Sequence, residues 1–556
     1  MKTLLGTQWN ILEKHSEVIL DVLLKNRNIE NVEDFLNPKY EDLHDPFSMK
    51  NMREVVERLS KAKEKKEKIL IYGDYDVDGI TSTVLLQDVL EKFGLEVVVF
   101  LPNRLKDGYG VNAKYLQEFK DQGVSILITV DNGIAAVNEV KKANELGLTV
   151  IVTDHHLPQE ELPNALILNP LQEDCEYVDK YLCGVGIVYK LLVAMAKTYP
   201  EIYDDNFVKW KLDIVALGTV VDCAKLLGEN RIITTYGLKV LHKTKNLGLK
   251  YLKTFLKSAE EEPKSEDLGF KIGPRLNAAG RIGEAKRAYE ALHEKDEKTV
   301  INIVAELQEL NTTRQEMVSE MMLEAYSMID ISKKYIFLKK DDWHAGIVGL
   351  LAGNLSREFS KPAFIMCKTD EGIVGSVRSP EMNLNVMNAI NAQKDLLARY
   401  GGHKSAAGYT VDIKNYENLE KGLDKYFSEK VTEDDLQVVL KIDCVLLSSQ
   451  ISKDLISNIQ KLAPFGVANE EPVFVLENVK IENFNLVGLK KNHARFNLSS
   501  DNYRFKGIAF NFGKYFDKLH LVKQENRFVR IAFSPRVNRW QGRESIDLHI
   551  MDIEIN

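Results

Sequence analysis

Three apolar runs in the first 160 residues each end in acidic or histidine side chains, and that repetition restricts the fold. Residues 68–82 read KILIYGDYDVDGITS: an apolar run at 69–71, then Asp74, Asp76 and Asp78 closed by Gly79, then a helix-like pattern. SILITVDNG places Asp131 just past a second run, and LTVIVTDHH places Asp154, His155 and His156 past a third. GTVVDCA adds Asp222 after a helix-like segment. Short apolar runs bounded by turn residues read as buried strands. In an open α/β sheet, ligands sit at the carboxyl ends of such strands. Three carboxylates on one turn repel one another, and a divalent cation is the usual remedy. Hard carboxylates with neutral imidazoles suit Mn2+ or Mg2+ better than a structural zinc.

The pattern D-x-D-x-D-G also matches the first six positions of an EF-hand loop. That loop needs an acidic bidentate ligand at position twelve. Here position twelve is Leu85, and an apolar strand precedes the loop instead of a helix. Taken singly, each aspartate also fits a cap or a turn. Their recurrence after three apolar runs favours a site.

The alternation of apolar runs (69–71, 97–101, 126–130, 148–152, 166–168) with helix-length segments (81–93, 135–146) predicts a doubly wound parallel sheet. Helices at 184–197 and 207–221 cover it, the second delivering Asp222. At 556 residues the prior is about three or four domains. The 44% apolar content supports sizeable cores. A net charge of −8 excludes a uniformly basic nucleic-acid coat and leaves room for a local basic patch. No apolar run reaches membrane-spanning length, and Gln8, Trp9 and Asn10 break any signal-peptide core. Five cysteines with no CxxC pair fit free thiols in a reducing cytoplasm.

Residues 258–269 form an acidic, proline-containing loop. The following GFKIGPRLNAAGRIGEA carries Arg275, Asn277 and Arg281. It reads either as a tight turn with a helix start or as a phosphate-facing loop. Residues 285–328 are a long helical connector. A second, smaller α/β unit follows, with a helix at 346–359 and another at 386–398. Ser376/Arg378 and Gly401-Gly402-His403 are polar, small-residue stops in it. His403 is either structural or, beside a double glycine where backbone approaches closely, functional.

Beyond a charged linker the chain is β-rich, and five or more alternating strands predict a small barrel of the OB type. Between Leu486 and Arg543 there are 13 Lys/Arg against 3 Asp/Glu. Phe496, Tyr503, Phe505, Phe512, Phe533 and Trp540 are interleaved with them, a composition suited to holding single strands. Arg495, Phe496, Tyr503, Arg504, Arg536 and Trp540 are the candidate strand-binding residues, whereas Phe510 and Phe533 read as core. The expected domains are an N-terminal segment 1–50, a catalytic domain 51–257, the Gly/Arg motif with its connecting helix 258–330, a second α/β domain 331–429 and the barrel 430–556.

These motifs in this order (GDYDVDGITS, TVDNG, TDHH, GTVVD, GPRLNAAGR, GSVRS, GGHKSAAG, with FLNPKYEDLHDP and LAPFGVANEEP) resemble the RecJ family within the DHH phosphoesterases. The likeness covers essentially the whole chain, with Cys223-Ala224-Lys225 a small departure from the expected aliphatic residues. It implies a DHH domain joined by a long helix to a DHHA1 domain, then an OB barrel. It implies a 5′ to 3′ single-stranded-DNA exonuclease of repair and recombination that releases 5′-mononucleotides with two divalent ions, Mn2+ or Mg2+. In that reading Asp76 and Asp78 each hold one ion, Asp131 bridges them, and His155 and Asp222 complete the second. Asp74 and His156 lie beside the ions, His156 facing the substrate phosphate, and Asp154 orients its neighbours. Arg104, Arg275, Asn277, Arg281, Ser376, Arg378, Gly401, Gly402 and His403 are the counterparts of contacts to DNA phosphate. A single-strand-binding protein and a helicase are the expected partners of a cytoplasmic monomer. Two other readings stay open: a DHH–DHHA1 phosphodiesterase of short oligoribonucleotides or cyclic dinucleotides, and a non-catalytic replication-associated DNA-binding subunit. The first lacks the barrel; the second should have lost ligands.

Overall fold

The computed structural model describes residues 2–108, 110–256, 261–370, 372–540 and 543–555, without the side chains at 2, 539, 540 and 543. The chain forms two compact units. One holds Asn37–Ser319 and Pro464–Asn469; the other holds Met1–Leu36, Glu320–Ala463 and Glu470–Asn556.

The first unit is built on five parallel strands in the order Glu96–Phe100, Lys68–Tyr72, Val124–Val130, Thr149–Thr153, Leu166–Leu168. Ile69 and Ile71 face a core shared with Met52, Leu85 and Val185; Leu70 and Tyr72 face a second core with Leu116, Phe119 and Val140. Strands covered on both faces are apolar at nearly every position, which is why the central ones read as apolar runs, whereas Glu96–Phe100 at the edge is only half-buried. Each fully buried aliphatic side chain contributes about 1.5–3 kcal/mol. The strand order reverses between Lys68–Tyr72 and Val124–Val130. A reversal of that kind opens a crevice beyond the carboxyl ends of those strands.

Several expected boundaries shift. The helix at 207–221 is two, Asp205–Trp210 and Leu212–Val221. The connector 285–328 breaks into Ala285–His293 and Glu297–Met328. Glu294 accepts from the amides of Lys295 and Asp296, and Asp296 accepts from Thr299 N, so a new helix start interrupts the old one. The Gly/Arg segment is helical throughout, a π-helical turn Leu268–Ile272 running into Gly273–Ile282. The expected phosphate-facing loop is therefore a helix. Its glycines serve packing: a Cβ at Gly273 would sit 2.6 Å from Val221 Cγ2, and one at Gly280 would sit 2.3 Å from the Tyr75 carbonyl oxygen. Of the acidic loop at 258–269, residues 258–260 lie outside the described residues, and Ser265–Asp267 is helical.

In the second unit one five-stranded sheet has the order Leu397–His403, Ala406–Val411, Gly372–Arg378, Ala363–Thr369, Ile336–Lys339. The helix expected at 386–398 stops at Asn391, because 397–403 pairs as a strand with 406–411. The C-terminal strands close into a barrel. Phe474–Val487, His493–Ser500, Tyr503–Ala509, Arg543–Ile555 and Phe528–Trp540 pair around a ring, with 503–509 parallel to 543–555. A helix, Phe516–Gln524, lies between the third and fourth strands in sequence. Such closure leaves no open edge and is the OB topology.

The N-terminal segment does not stand apart as 1–50. Residues up to Leu36 belong to the barrel-bearing unit. Lys2–Thr3 pairs with the last strand and Gln8–Ile11 with Val439–Ile442. Buried Asp552 accepts from Leu5 N and Trp9 Nε1, both at 3.1 Å. A pairing across more than 500 residues leaves no local signature in either segment.

Candidate active site

Asp74, Asp76 and Asp78 follow the strand Lys68–Tyr72, and Asp131 follows Val124–Val130, the two strands flanking the reversal. Asp76 caps the helix Val77–Phe93, its side chain accepting from Gly79 N at 3.1 Å. That cap fixes Asp78 in the first turn, pointing at the amino end of a second helix, Gly184–Thr198. There Asp78 Oδ2 accepts from Gly184 N at 2.7 Å and Oδ1 from Val185 N at 2.8 Å. The helix dipole adds to both bonds. Asp131 takes the left-handed conformation, φ 61°, which asparagine and aspartate tolerate best. His155 Nε2 lies 3.1 Å from Asp131 Oδ1, 3.7 Å from Asp222 Oδ2 and 3.8 Å from Asp78 Oδ2.

Three overlapping groups have their ligand atoms within 4.8 Å of one another: Asp74, Asp76 and Asp131; Asp78, His155 and Asp222; and Asp131, His155 and His156. The electrostatics agree. Burial and the charge of Asp76 raise Asp74 well above its usual value and push Asp78 up to about 6. Burial, then the charges of Asp78, Asp76, Asp222 and Asp74, raise Asp131; burial, Asp78 and Asp76 raise Asp222. Among the described residues Asp74 Oδ1 is buried with no hydrogen-bond partner. Crowded carboxylates that cannot all ionise, one with an orphaned oxygen, and an imidazole between them fit divalent cations well.

Asp154 supports the site from behind. Its Oδ2 accepts from Ile134 N at 2.9 Å; its Oδ1 accepts from His155 N at 2.8 Å and His156 N at 3.1 Å, and lies 2.8 Å from His156 Nδ1. Burial opposes a charged His156, yet the bond to Asp154 and the fields of Asp154, Asp74 and Asp78 raise its pKa above 6.5.

The expected phosphate contacts divide. Arg104 stacks over Tyr75 at 5.1 Å, beside the acidic turn, and Arg281 is close enough to act on the Tyr75 hydroxyl. Arg275 is engaged by protein: Nε donates to Gln308 Oε1 at 2.8 Å, Nη1 donates to Lys271 O at 2.5 Å, and the guanidinium covers Phe255 at 4.1 Å. Asn277 is half-buried on the same helix.

In the second unit Ser376, Arg378, Gly401 and His403 share one sheet face, and Gly402 lies on the other. Gly401, Gly408 and Ser376 stand in one register row, and His403, Ala406 and Arg378 in the next row on that side. Arg378 Nη1 donates to Ser376 Oγ at 2.7 Å. A Cβ at Gly401 or Gly408 would meet nothing within 4 Å, so the strip between Ser376/Arg378 and His403 is open backbone. Gly402 takes φ 154°, and a Cβ there would sit 2.3 Å from Ala406 O. A Cβ at Gly349, on the helix Val348–Phe359, would lie 3.3 Å from Ser376 Oγ.

The barrel corrects three expectations. Phe496 is fully buried and Arg495 exposed, because neighbours on a strand point to opposite faces. Phe496 is core, as are Phe512 and Phe533, whereas Phe510 is 52% exposed. Tyr503 is exposed and stacks on Phe505, centroids 6.3 Å apart. Arg504 and Lys506 are exposed on the opposite face of that strand, the face Arg495 also occupies. Arg536 is paired with Glu471 at 2.7 Å and Arg530 with Glu477 and Glu554, so acids outside the counted window offset part of the basic excess. The side chain of Trp540 lies outside the described residues. Sequence reading missed the Gly184 and Val185 amides and the open Gly408; the glycines themselves were the available signal.

Residues 68–219 match the DHH family, N-terminal domain; 332–429 match the DHHA1 domain; 442–552 match the RecJ OB domain. The Bacillus subtilis single-stranded-DNA-specific exonuclease RecJ is 35% identical over 98% of this chain and 68% of its own. The protein of that name from Haemophilus influenzae is 31% identical over 96% of each chain. The crystal structure of RecJ from Thermus thermophilus in complex with Mn2+ matches with a TM-score of 0.83 at 26% identity, over 98% of this chain and 79% of that one. A parallel sheet carrying the acidic cluster, a second α/β sheet and a closed barrel, in that order and over nearly the full length, place the chain in the RecJ family of single-stranded-DNA-specific exonucleases.

Proposed function

We propose that this exonuclease removes 5′-mononucleotides from the 5′ end of single-stranded DNA, using two divalent cations, Mn2+ or Mg2+, held by Asp74, Asp76, Asp78, Asp131, His155 and Asp222. The carrying observation is that Asp131 belongs both to the group with Asp74 and Asp76 and to a group with His155, as a bridging carboxylate must. Bound there, a pair of cations lowers the pKa of water and neutralises charge gathering on the phosphoryl oxygens.

The chain's own residues supply position and charge. The Gly184 and Val185 amides hold Asp78 with both oxygens directed, so that ligand loses little freedom on binding. Asp154 favours the imidazolium form of His156, a cation suited to a phosphodiester oxygen. Ser376, Arg378 and His403 flank a glycine strip on which a DNA backbone phosphate lies without steric cost. Arg495 and Arg504, on one face of the barrel strands, hold the DNA strand by charge, and Tyr503 at the strand end adds stacking. The domain limits 51–257, 331–429 and 430–556 are read as catalytic, phosphate-holding and strand-holding regions. No helix among the described residues is long and apolar enough to cross a membrane. A DNA substrate and five free cysteines support a cytoplasmic site of action. A monomer working with a single-strand-binding protein and a helicase completes the proposal.

The test is digestion of single-stranded DNA labelled at either end, with Mn2+, Mg2+ or chelator, beside a matched duplex and a short RNA. Mononucleotides from the 5′ end of single strands, only with metal, are expected. Asp131→Ala should abolish cleavage and keep measurable DNA binding. Release from the 3′ end, or cleavage retained by Asp131→Ala, would overturn the polarity or the site respectively.

A further inference from the structure

Six residues, Pro464–Asn469, belong to the catalytic unit although the chain on either side of them does not. They form a tight turn closed on itself. Gly466 N donates to Asn469 O at 3.0 Å, Asn469 N donates to Gly466 O at 3.1 Å, and the buried Asn469 side chain donates to Pro464 O at 2.9 Å. The turn spends its outward carbonyls on two segments. Val467 O accepts from Leu226 N at 2.9 Å, and Phe465 O accepts from Ser265 Oγ at 2.5 Å.

Both partners lead directly to the acidic cluster. Leu226 is four residues past Asp222, in the short link between the helices Leu212–Val221 and Gly228–His242. That link carries a left-handed residue, Cys223 at φ 59°; its start is tied back to the preceding helix by Asp222 N on Gly218 O, Cys223 N on Val220 O and Ala224 N on Thr219 O, and further along the Asn230 side chain donates to Lys225 O and the Lys225 ammonium covers Tyr181. Ser265 begins the helical run that continues through Gly273, packed on Val221, to Gly280, packed on the carbonyl of Tyr75 between Asp74 and Asp76. Gly466 is as tight as those glycines: a Cβ there would lie 2.6 Å from Leu226 Cδ1 and 3.0 Å from Leu226 Cγ.

We infer that Pro464–Asn469 is a clip that positions Asp222 toward the cations, with Phe465, Gly466 and Val467 acting as positioning residues through Leu226 and Ser265. The inference rests on the assignment of Asp222 as a ligand. Groups that orient metal ligands without touching the ion typically change affinity by about 10- to 100-fold when disturbed.

The experiment is calorimetric titration of the full-length protein with Mn2+ alone, with the thermal midpoint recorded for each variant. Gly466→Ala should weaken Mn2+ binding by about 10- to 100-fold in a protein that still melts cooperatively. Gly466→Ala combined with Leu226→Ala removes the atoms the new methyl strikes and should recover most of that loss, a non-additivity expected only of residues in contact. Ser265→Ala, which adds no atoms, should weaken binding in the same direction and carries the test if Gly466→Ala does not fold. Asp222→Ala is the reference. Weakened binding in Asp222→Ala beside unchanged binding in both Gly466→Ala and Ser265→Ala, or strict additivity of the double variant, would overturn the clip alone. Unchanged binding in Asp222→Ala would overturn the ligand assignment and the clip with it.

Discussion

Asp154→Asn is the sharpest test of the scaffold behind the cluster. The carboxylate is buried at 1% exposure and is surrounded by donors, with Ile134 N on one oxygen and His155 N, His156 N and His156 Nδ1 at the other. An asparagine keeps an oxygen for the three grouped donors and turns its NH2 toward Ile134 N–H. Losing the bond to a charged acceptor costs about 1.5–3 kcal/mol. The other three bonds fall from charge-assisted to neutral strength, roughly half. The total loss should be about 3–5 kcal/mol in the parallel-sheet unit.

Trp210 is the lone tryptophan between residues 37 and 319. Urea unfolding followed by its fluorescence, with Trp9, Trp343 and Trp540 replaced by Phe, therefore reads that unit. The pH dependence has a definite sign. Burial pushes Asp154 up, but the bond and charge of His156 and the backbone amides outweigh it and hold the pKa below 3.8. A depressed carboxyl stabilises the fold above its unfolded pKa and loses that contribution as pH falls through the folded value. The gap between variant and wild type should thus hold down to about pH 4 and close below it, while the share that depends on the His156 imidazolium fades as pH rises through that group's raised pKa. A loss under about 1 kcal/mol, or a gap that closes near neutral pH, would refute the reasoning.

Three further outcomes are expected. Phe496→Ala should cost about 3–5 kcal/mol of barrel stability, whereas Tyr503→Ala, at the exposed end of the same face, should leave the melting temperature unchanged and weaken single-strand binding by about 1–3 kcal/mol; equal effects on stability would show that Tyr503 is packed as Phe496 is. Gly408→Ala enters open space and should fold normally while raising KM for single-stranded DNA, so an unchanged KM would remove the glycine strip from the DNA path. Burial lifts Asp213 to about 6, so the folded state holds its proton more tightly than the unfolded chain and stability falls as pH rises through that range. Asp213→Asn should therefore gain up to about 3 kcal/mol at pH 8 and nothing at pH 4, and unfolding curves at the two pH values decide it.

Much of the acidic cluster was legible because its signal is local. Asp74, Asp76 and Asp78 lie on one turn after an unbroken apolar run, and the same grammar recurs before Asp131 and His155. The barrel was legible as strands, and alternation in HARFNLSS also contained the answer that Phe496 and Arg495 face opposite ways. Arg275 was less readable, because whether a guanidinium meets a phosphate or a glutamine depends on Gln308, more than thirty residues away.

The sequence by itself determined the alternating strands and helices, the cluster at the strand ends and the OB-like character of the β-rich C-terminal region, since each follows from periodicity and near-neighbour chemistry. Only the tertiary structure decided which segments pair over long distances. It assigns residues 1–36 to the barrel-bearing unit and Pro464–Asn469 to the catalytic unit. It turns a glycine-rich stretch into a helix pressed against Tyr75. The physical reason is that hydrogen-bond partners and close packing are properties of two surfaces. Either surface alone carries only the small residue or the spare carbonyl that makes the contact possible.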